Sequence, residues 1–357
     1  MTVGAAPLLV TASSVATTYG TASTAITPSY SGFLNGDTSA SLTTQASCTT
    51  TATTTSNVGT YPSSCTGAAD PNYDISYVGG TVTVTPAPVT VTALSTSMTY
   101  GGTVPTVSPT ISGLQNGEGA SVLGGGLACT TTASPTSPVG AYDSSCSGAV
   151  DPNYAITYVD GSIAVTQAAL TVTASSGTMT YGGDVPAIAP TVAGLQNGED
   201  ASVLGAGLTC GTTATTTSPV GEYPSSCTGA SDPNYSITYV AGTVGITPAP
   251  LNITASSGSS VYGDPVPTIS YAVDGLQNGE TSAVLGAGLQ CETTSITGSP
   301  VGTYPSMCSG AVDGNYTITY VEGIVSVTAA PLTITASSAS VSYGGSVPGV
   351  TASFVGF

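Results

Sequence analysis

Eight cysteines, spaced as four equal pairs, are the residues with the most obvious chemistry: Cys48 and Cys65, Cys129 and Cys146, Cys210 and Cys227, Cys291 and Cys308. Thiols so placed could hold zinc, act as nucleophiles or oxidise to disulfides. Zinc calls for closely spaced cysteines or for histidines, and a catalytic thiol calls for a base beside it. The chain has no His, no Lys and no Arg, which removes both chemistries. The midpoint of each pair falls in a turn, next to Ser56, Ser137, Ser218 or Ser299, and three of the four turns read Ser-Pro-Val-Gly. Each pair therefore faces across a hairpin, where opposed Cα atoms lie about 4.5–5.5 Å apart, a span that a disulfide accepts. The spacing predicts one disulfide per pair, each contributing on the order of 3 kcal/mol by closing its loop. Such bonds place the chain outside a reducing cytoplasm, secreted or on an extracellular cell surface.

The remaining ionisable groups are 18 carboxylates and 19 tyrosines, for a formal charge of −18 in 357 residues. A chain without cationic side chains has nothing to neutralise phosphates, so nucleic acid is excluded as a partner, and an anionic membrane surface would repel it. With no imidazole or amine, general acid–base and Schiff-base catalysis are missing, so the expectation is a protein that is not an enzyme and takes no cofactor. Two acids recur: an Asn-Gly-acid corner (Asp37, Glu118, Glu199, Glu280) and the aspartate of Asp-Pro-Asn-Tyr or its variant (Asp70, Asp151, Asp232, Asp313). Calcium wants six to eight oxygens. Two recurrent acids fall short, and these residues are read as turn-shaping, with no metal site. The recurrent tyrosines, for example Tyr100, Tyr142, Tyr154 and Tyr158, could stack on sugars; core and rim residues with locally bonded hydroxyls is the preferred reading. Asn234-Tyr-Ser, Asn252-Ile-Thr and Asn315-Tyr-Thr match the glycosylation sequon, a short pattern of high chance frequency.

These residues must be positioned by a repeating unit. Tyr-Gly recurs at Tyr19, Tyr100, Tyr181, Tyr262 and Tyr343, every step 81 residues, and the cysteines and acids keep the same step without one insertion. Phased from Pro7, the chain divides into residues 1–6, read as the last strand of a preceding copy, then copies 7–87, 88–168, 169–249 and 250–330, then a partial copy 331–357. The expectation is a window from a longer array. No run approaches the ~20 apolar residues of a membrane span, so no membrane insertion is expected in this segment.

Within a copy the period is two. Pro88-Val-Thr-Val-Thr-Ala93 alternates apolar and hydroxyl residues, as a half-buried strand does. Tyr154–Val159 and Ser162–Thr166, flanking Asp160-Gly161, read as a hairpin with a type I′ turn, and the same is expected at Gly79-Gly80, Ala241-Gly242 and Glu322-Gly323. Glu199–Leu204 reads as one helical turn capped by its acid. Six or seven short strands per copy predict an all-β fold, a tandem array of small Ig-like β-sandwich repeats of 81 residues, with a β-grasp-like repeat as the alternative. Copies join through Thr85-Pro-Ala-Pro88 and Thr247-Pro-Ala-Pro250 without a flexible tether, which predicts a semi-rigid rod whose neighbours touch end to end and share no core.

The string Pro331-Leu-Thr-Ile-Thr-Ala-Ser, Tyr-Gly-Gly, Gly-Leu-Gln-Asn-Gly-Glu, Ser-Pro-Val-Gly, Asn-Tyr-x-Ile-Thr-Tyr-Val and Gly-Thr-Val-x-x-Thr-Pro-Ala resembles the MBG repeat of the YGX type. That resemblance covers essentially the whole chain. It implies arrays in large secreted or surface-exposed bacterial adhesin-like proteins and no catalytic residue; the paired cysteines and the missing Lys and Arg depart from it. The expected function is a non-catalytic structural array of an extracellular rod, stalk or fibre on a microbial surface. Its partners would be neighbouring repeats end to end, and self-assembly into a filament is open. The alternative is a multivalent adhesin in which each copy binds a glycan or a cell-surface ligand. Acid tolerance is also expected, because protonation takes the charge toward zero, provided that most carboxylates titrate normally.

Overall fold

A computed structural model describes residues 1–357. Its internal contacts divide the chain into two compact units. The first is Met1–Ala169 with Leu195–Glu199 and Asp232–Ser236; the second is Leu170–Gly194, Asp200–Ser231 and Ile237–Phe357.

Alternating sequence becomes alternating burial. In the first copy the strands are β1 (Ala6–Ala12), β2 (Val15–Thr18), β3 (Pro28–Ser31), β4 (Ser47–Thr50), β5 (Gly59–Thr66), β6 (Tyr73–Val78) and β7 (Gly80–Thr85). The second copy repeats them as β8 (Ala87–Ala93), β9 (Thr96–Thr99), β10 (Pro109–Ser112), β11 (Ala128–Thr131), β12 (Gly140–Ser147), β13 (Tyr154–Val159) and β14 (Gly161–Thr166). On β8, Ala87, Val89, Val91 and Ala93 are buried, and on β14 Ile163 and Val165 face them from the other layer. Each of these copies is two sheets, one of three strands in the order β3-β1-β6 or β10-β8-β13, one of four in the order β2-β7-β5-β4 or β9-β14-β12-β11. The second unit holds the same two-sheet arrangement in the copy beginning at Ala249. The fold is therefore all-β, and each of these copies is a small Ig-like sandwich of two sheets. The only helical elements are single 3-10 turns such as Ala120–Leu123, which plug the core with Leu123, so there is no helix on which to build a β-grasp.

The expected hairpins at Gly79-Gly80, Asp160-Gly161, Ala241-Gly242 and Glu322-Gly323 do not form. β13 lies in the three-stranded sheet, parallel to β8, whereas β14 lies in the four-stranded sheet, parallel to β9 and antiparallel to β12. One residue after β13 the chain crosses between layers, and the first strand crosses with it between Ala93 and Thr96. Gly161 is needed for close approach, since a Cβ there would lie 2.5 Å from the Ala93 carbonyl oxygen and 2.7 Å from that of Leu94. None of Gly80, Gly161, Gly242 and Gly323 has positive φ. The apolar residues flanking the dipeptide face one core from opposite sheets, which a hairpin would have put into a single sheet.

The helical turn is present in the third copy, where Asp200 caps Ala201–Leu204 by accepting from Ser202 N. In the second and fourth copies the cap position is Gly119 or Thr281 and makes no such bond, and in the first copy Thr38 N donates to Ser41 Oγ at 3.2 Å. Met1–Ala5 forms no strand. Its counterpart in Gly242–Thr247 is held between Gly177–Thr180 and Gly221–Thr228, the ladder partners that make it a strand.

The expectation of copies without a shared core fails between the third and fourth copies. In the second unit a single apolar cluster joins Met179, Tyr181, Val244 and Ile246 of one copy to Leu251, Ile253, Leu285 and Tyr316 of the next. Only Pro248 separates the last strand of one copy from the first of the next, so burial passes through the link.

Candidate functional site: the junction between repeats

The residues that look like turn formers in sequence meet at the ends of the copies. At the first junction, within the first unit, the backbone N–H of Tyr19 donates to the Thr85 carbonyl at 2.9 Å, which fixes the tyrosine on the trailing end of its copy. Its hydroxyl donates to Glu118 Oε1 at 2.6 Å. The Tyr154 hydroxyl donates to Glu118 Oε2 and accepts from Gln115 N at 2.8 Å. One carboxylate thus accepts two phenols, one from each copy. The rings meet edge to face with centroids 5.5 Å apart, a favourable arrangement of their quadrupoles. Both tyrosines are buried.

Backbone groups complete the joint. Asn116, at φ 52°, sends its side-chain N–H to the Thr54 carbonyl at 3.3 Å, and Gly20 N–H reaches the same oxygen at 3.1 Å. Asn153 Oδ1 accepts from Val58 N at 2.9 Å. Glycine follows the tyrosine because the position is left-handed, φ 84° at Gly20, and at this junction it also lies under Gln115, where a Cβ would be 2.4 Å from the Gln115 Cβ.

The same set recurs with every residue advanced by one repeat. The first unit also contains Tyr100 donating to Glu199 Oε1 at 2.5 Å, Tyr235 donating to Glu199 Oε2, and Val139 N donating to Asn234 Oδ1 at 3.0 Å. In the second unit Tyr181 and Tyr316 donate to the two oxygens of Glu280 at 2.6 and 2.5 Å, and Val220 N donates to Asn315 Oδ1 at 3.0 Å. In the first copy the corner acid is the shorter Asp37, which accepts from the Tyr73 hydroxyl at 2.8 Å.

Electrostatics follow from the geometry. Hydrogen bonds from Tyr154 and then Tyr19 hold the Glu118 carboxyl below its ordinary value, against the opposing effect of burial. Burial first, and the hydrogen bond to Glu118 second, push Tyr154 up to about 12; Tyr235 and Tyr316 are likewise pushed to about 12. The hydrogen bond to Glu118, then burial, raises Tyr19. In a chain without cations, phenols take the place of Lys and Arg as the donors that satisfy a half-buried carboxylate.

The cysteines take no part in the junction hydrogen bonds and lie directly opposed on the hairpin strands: Cys48 and Cys65 on β4 and β5, Cys129 and Cys146 on β11 and β12, with Cys210–Cys227 and Cys291–Cys308 in the later copies. All four pairs are disulfides and no cysteine is free. These bonds mark an extracellular or secreted protein. No group of three or more Cys, Asp or Glu gathers in a way that could hold a metal. Among the tyrosines weighed for sugar binding, Tyr100 and Tyr154 are buried in junctions. Tyr142 donates to Pro138 O at 2.9 Å and Tyr158 accepts from Ala149 N at 2.8 Å, both local bonds. Two of the three sequon asparagines, Asn234 and Asn315, are engaged in junctions.

Sequence reading missed the role of Tyr19, Glu118, Asn153 and Tyr154 as one constellation. The signal was present in the shared step, but bonded partners such as Tyr19 and Glu118 stand 99 residues apart and belong to different copies.

Among solved structures, the chain is similar to Drosophila N-cadherin EC1-4, at 10% identity over 90% of this chain and 99% of that one, with a TM-score of 0.22. It is also similar to three N-terminal domains of the bacteriophage RB49 Hoc protein, at 9% identity over 81% and 99%, with a TM-score of 0.21. At such scores these likenesses carry no argument. A search of curated proteins finds no match. The MBG domain (YGX type) profile matches four times, at residues 8–83, 89–164, 170–244 and 251–326, spacing that follows the Tyr-Gly step and the junctions built on it. The chain belongs to the MBG domain (YGX type) family.

Proposed function

We propose that this chain is a non-catalytic structural segment of an extracellular stalk or fibre on a microbial surface. The observation that carries this reading is the tyrosine–carboxylate–tyrosine joint, which recurs with the same partners and consumes the most chemically distinctive side chains of each copy in holding it to the next. Disulfides within each copy support an extracellular setting. Immunogold labelling of intact producing cells, with and without protease shaving, tests the proposal. Label on extracellular material that shaving removes is expected; label confined to the cell interior overturns it.

A second reading, a multivalent adhesin, is favoured by one feature. Tyr77, Tyr158, Tyr239 and Tyr320 are each 37–40% exposed at the same place in every copy. A repeated aromatic face suits weak glycan binding strengthened by avidity. Binding to immobilised glycans that is lost when these tyrosines become alanine would favour this reading over the purely structural one.

A further inference from the structure

The strand order in each sandwich determines how it answers a pull on its ends. Force enters the first copy at β1 and leaves at β7. β1 is parallel to β6 over six residue pairs, Ala6↔Tyr73 to Thr11↔Val78, and β2 is parallel to β7 over four, Val15↔Val82 to Thr18↔Thr85. The same two pairs recur as β8 with β13 and β9 with β14, and again in the copy that begins at Ala249. Pulling the start of one strand backward and the end of its parallel neighbour forward slides the two along their common axis. All ladder hydrogen bonds then resist together. An antiparallel hairpin pulled from its open end breaks its bonds one at a time. Resistance to forced unfolding is set by the unfolding barrier, which bonds breaking in concert raise.

The disulfide lies outside this path. Cys129 and Cys146 join β11 to β12, and the strand that carries tension out, β14, sits between β12 and β9. Once the parallel pair yields, the disulfide shields the loop between its cysteines, a sequence separation of 17, from extension.

We infer that each copy is a mechanical clamp, two parallel strand pairs loaded in shear with a disulfide-closed hairpin held in reserve, and that the array bears tension along its backbone. This deepens the structural reading and rests on it for biological relevance, but the clamp itself is a property of the isolated chain.

Single-molecule stretching of the full chain by its termini tests the inference. Oxidised protein should give discrete steps, and reduction should lengthen each step by ~60 Å, the reach of the 17 residues freed, at about 3.3–3.6 Å per residue. A second measurement changes only the direction of load. Ser95 and Ser162 are exposed and adjacent, with Ser162 N donating to Ser95 Oγ at 3.1 Å, at one end of the β9–β14 ladder. Handles there peel the pair from that end, and the second copy should open at a clearly lower force than when it is loaded through the termini. Equal forces in the two directions, or step lengths indifferent to reduction, overturn the clamp. Such a result leaves the stalk reading to be judged by surface labelling, which does not depend on rupture force.

Discussion

A carboxylate that accepts two phenols behaves differently from one in an ion pair, because each side of the bond titrates in its own pH range. Glu118 has a depressed folded-state value, so its contribution is fully present above the ordinary 4.5 and is lost as pH falls through the lower folded value. Tyr154 has a raised one, so its contribution is fully present below 10.0 and is lost as pH climbs toward about 12. The junction should hold from about pH 5 to pH 10 and loosen on both sides. Tyrosinate absorbance and amide exchange at Gly20 and Val58, followed across pH, check this; exchange that stays flat below pH 4 would contradict it. The general acid tolerance expected from composition is thereby narrowed, since the joints are the acid-sensitive points even where the sandwiches are not. Tyr19→Phe removes one donor while leaving the ring in place, and should cost about 1 kcal/mol, a hydrogen bond to a half-buried charge discounted for solvent. Urea unfolding should show the loss, with the effect absent in a Glu118→Ala background, where no acceptor remains, if the two residues act as one unit. None of this was legible as chemistry in the sequence. Asn-Gly-acid is turn language, and indeed Asn116 sits at φ 52°, but the same corner also carries the acceptor for the copy before it.

At the scale of elements, period-two alternation located the strands, and the turn between the cysteines was legible because Ser-Pro-Val-Gly lies midway between them. The layer crossing was not legible. Asp160-Gly161 between two alternating runs looks the same whether the chain reverses within one sheet or passes to the other. What distinguishes the two is the parallel pairing of β13 and β14 with β8 and β9, a non-local fact. The crossing predicts that Gly161→Ala is destabilising by more than 1 kcal/mol, because the new Cβ meets two backbone carbonyls that have nowhere to go. A type I′ hairpin would lose stability there through φ instead, and a D-alanine placed by semisynthesis would then rescue it. Here D-alanine should give no rescue beyond that of glycine, as a thermal melt would show. Replacing Cys129 and Cys146 together by serine should cost about 3 kcal/mol in the second copy, read as an earlier transition in non-reducing calorimetry that merges with wild type once both are reduced.

The whole molecule has carboxylates and no side-chain cations, and this sets its response to solution conditions. Added salt screens repulsion and has no side-chain ion pairs to weaken, so stability should rise or hold between low and physiological ionic strength. A melting temperature that falls with salt would contradict this. Trypsin, which cuts after Lys or Arg, should leave even the reduced, urea-unfolded chain intact. The fixed offset of the junction residues has a further consequence. Tyr19 meets a glutamate in the following copy, and Glu199 occupies the position of Glu118 one repeat on. Excision of residues 88–168 as a block would bring Tyr19 to Glu199, with Asn234 and Tyr235 in the places of Asn153 and Tyr154. Gene recombination in steps of one whole copy therefore lengthens or shortens the protein without creating a mismatched seam. Any other step leaves a phenol and a carboxylate without their partners, so copy number is the one dimension in which this architecture can vary freely under selection.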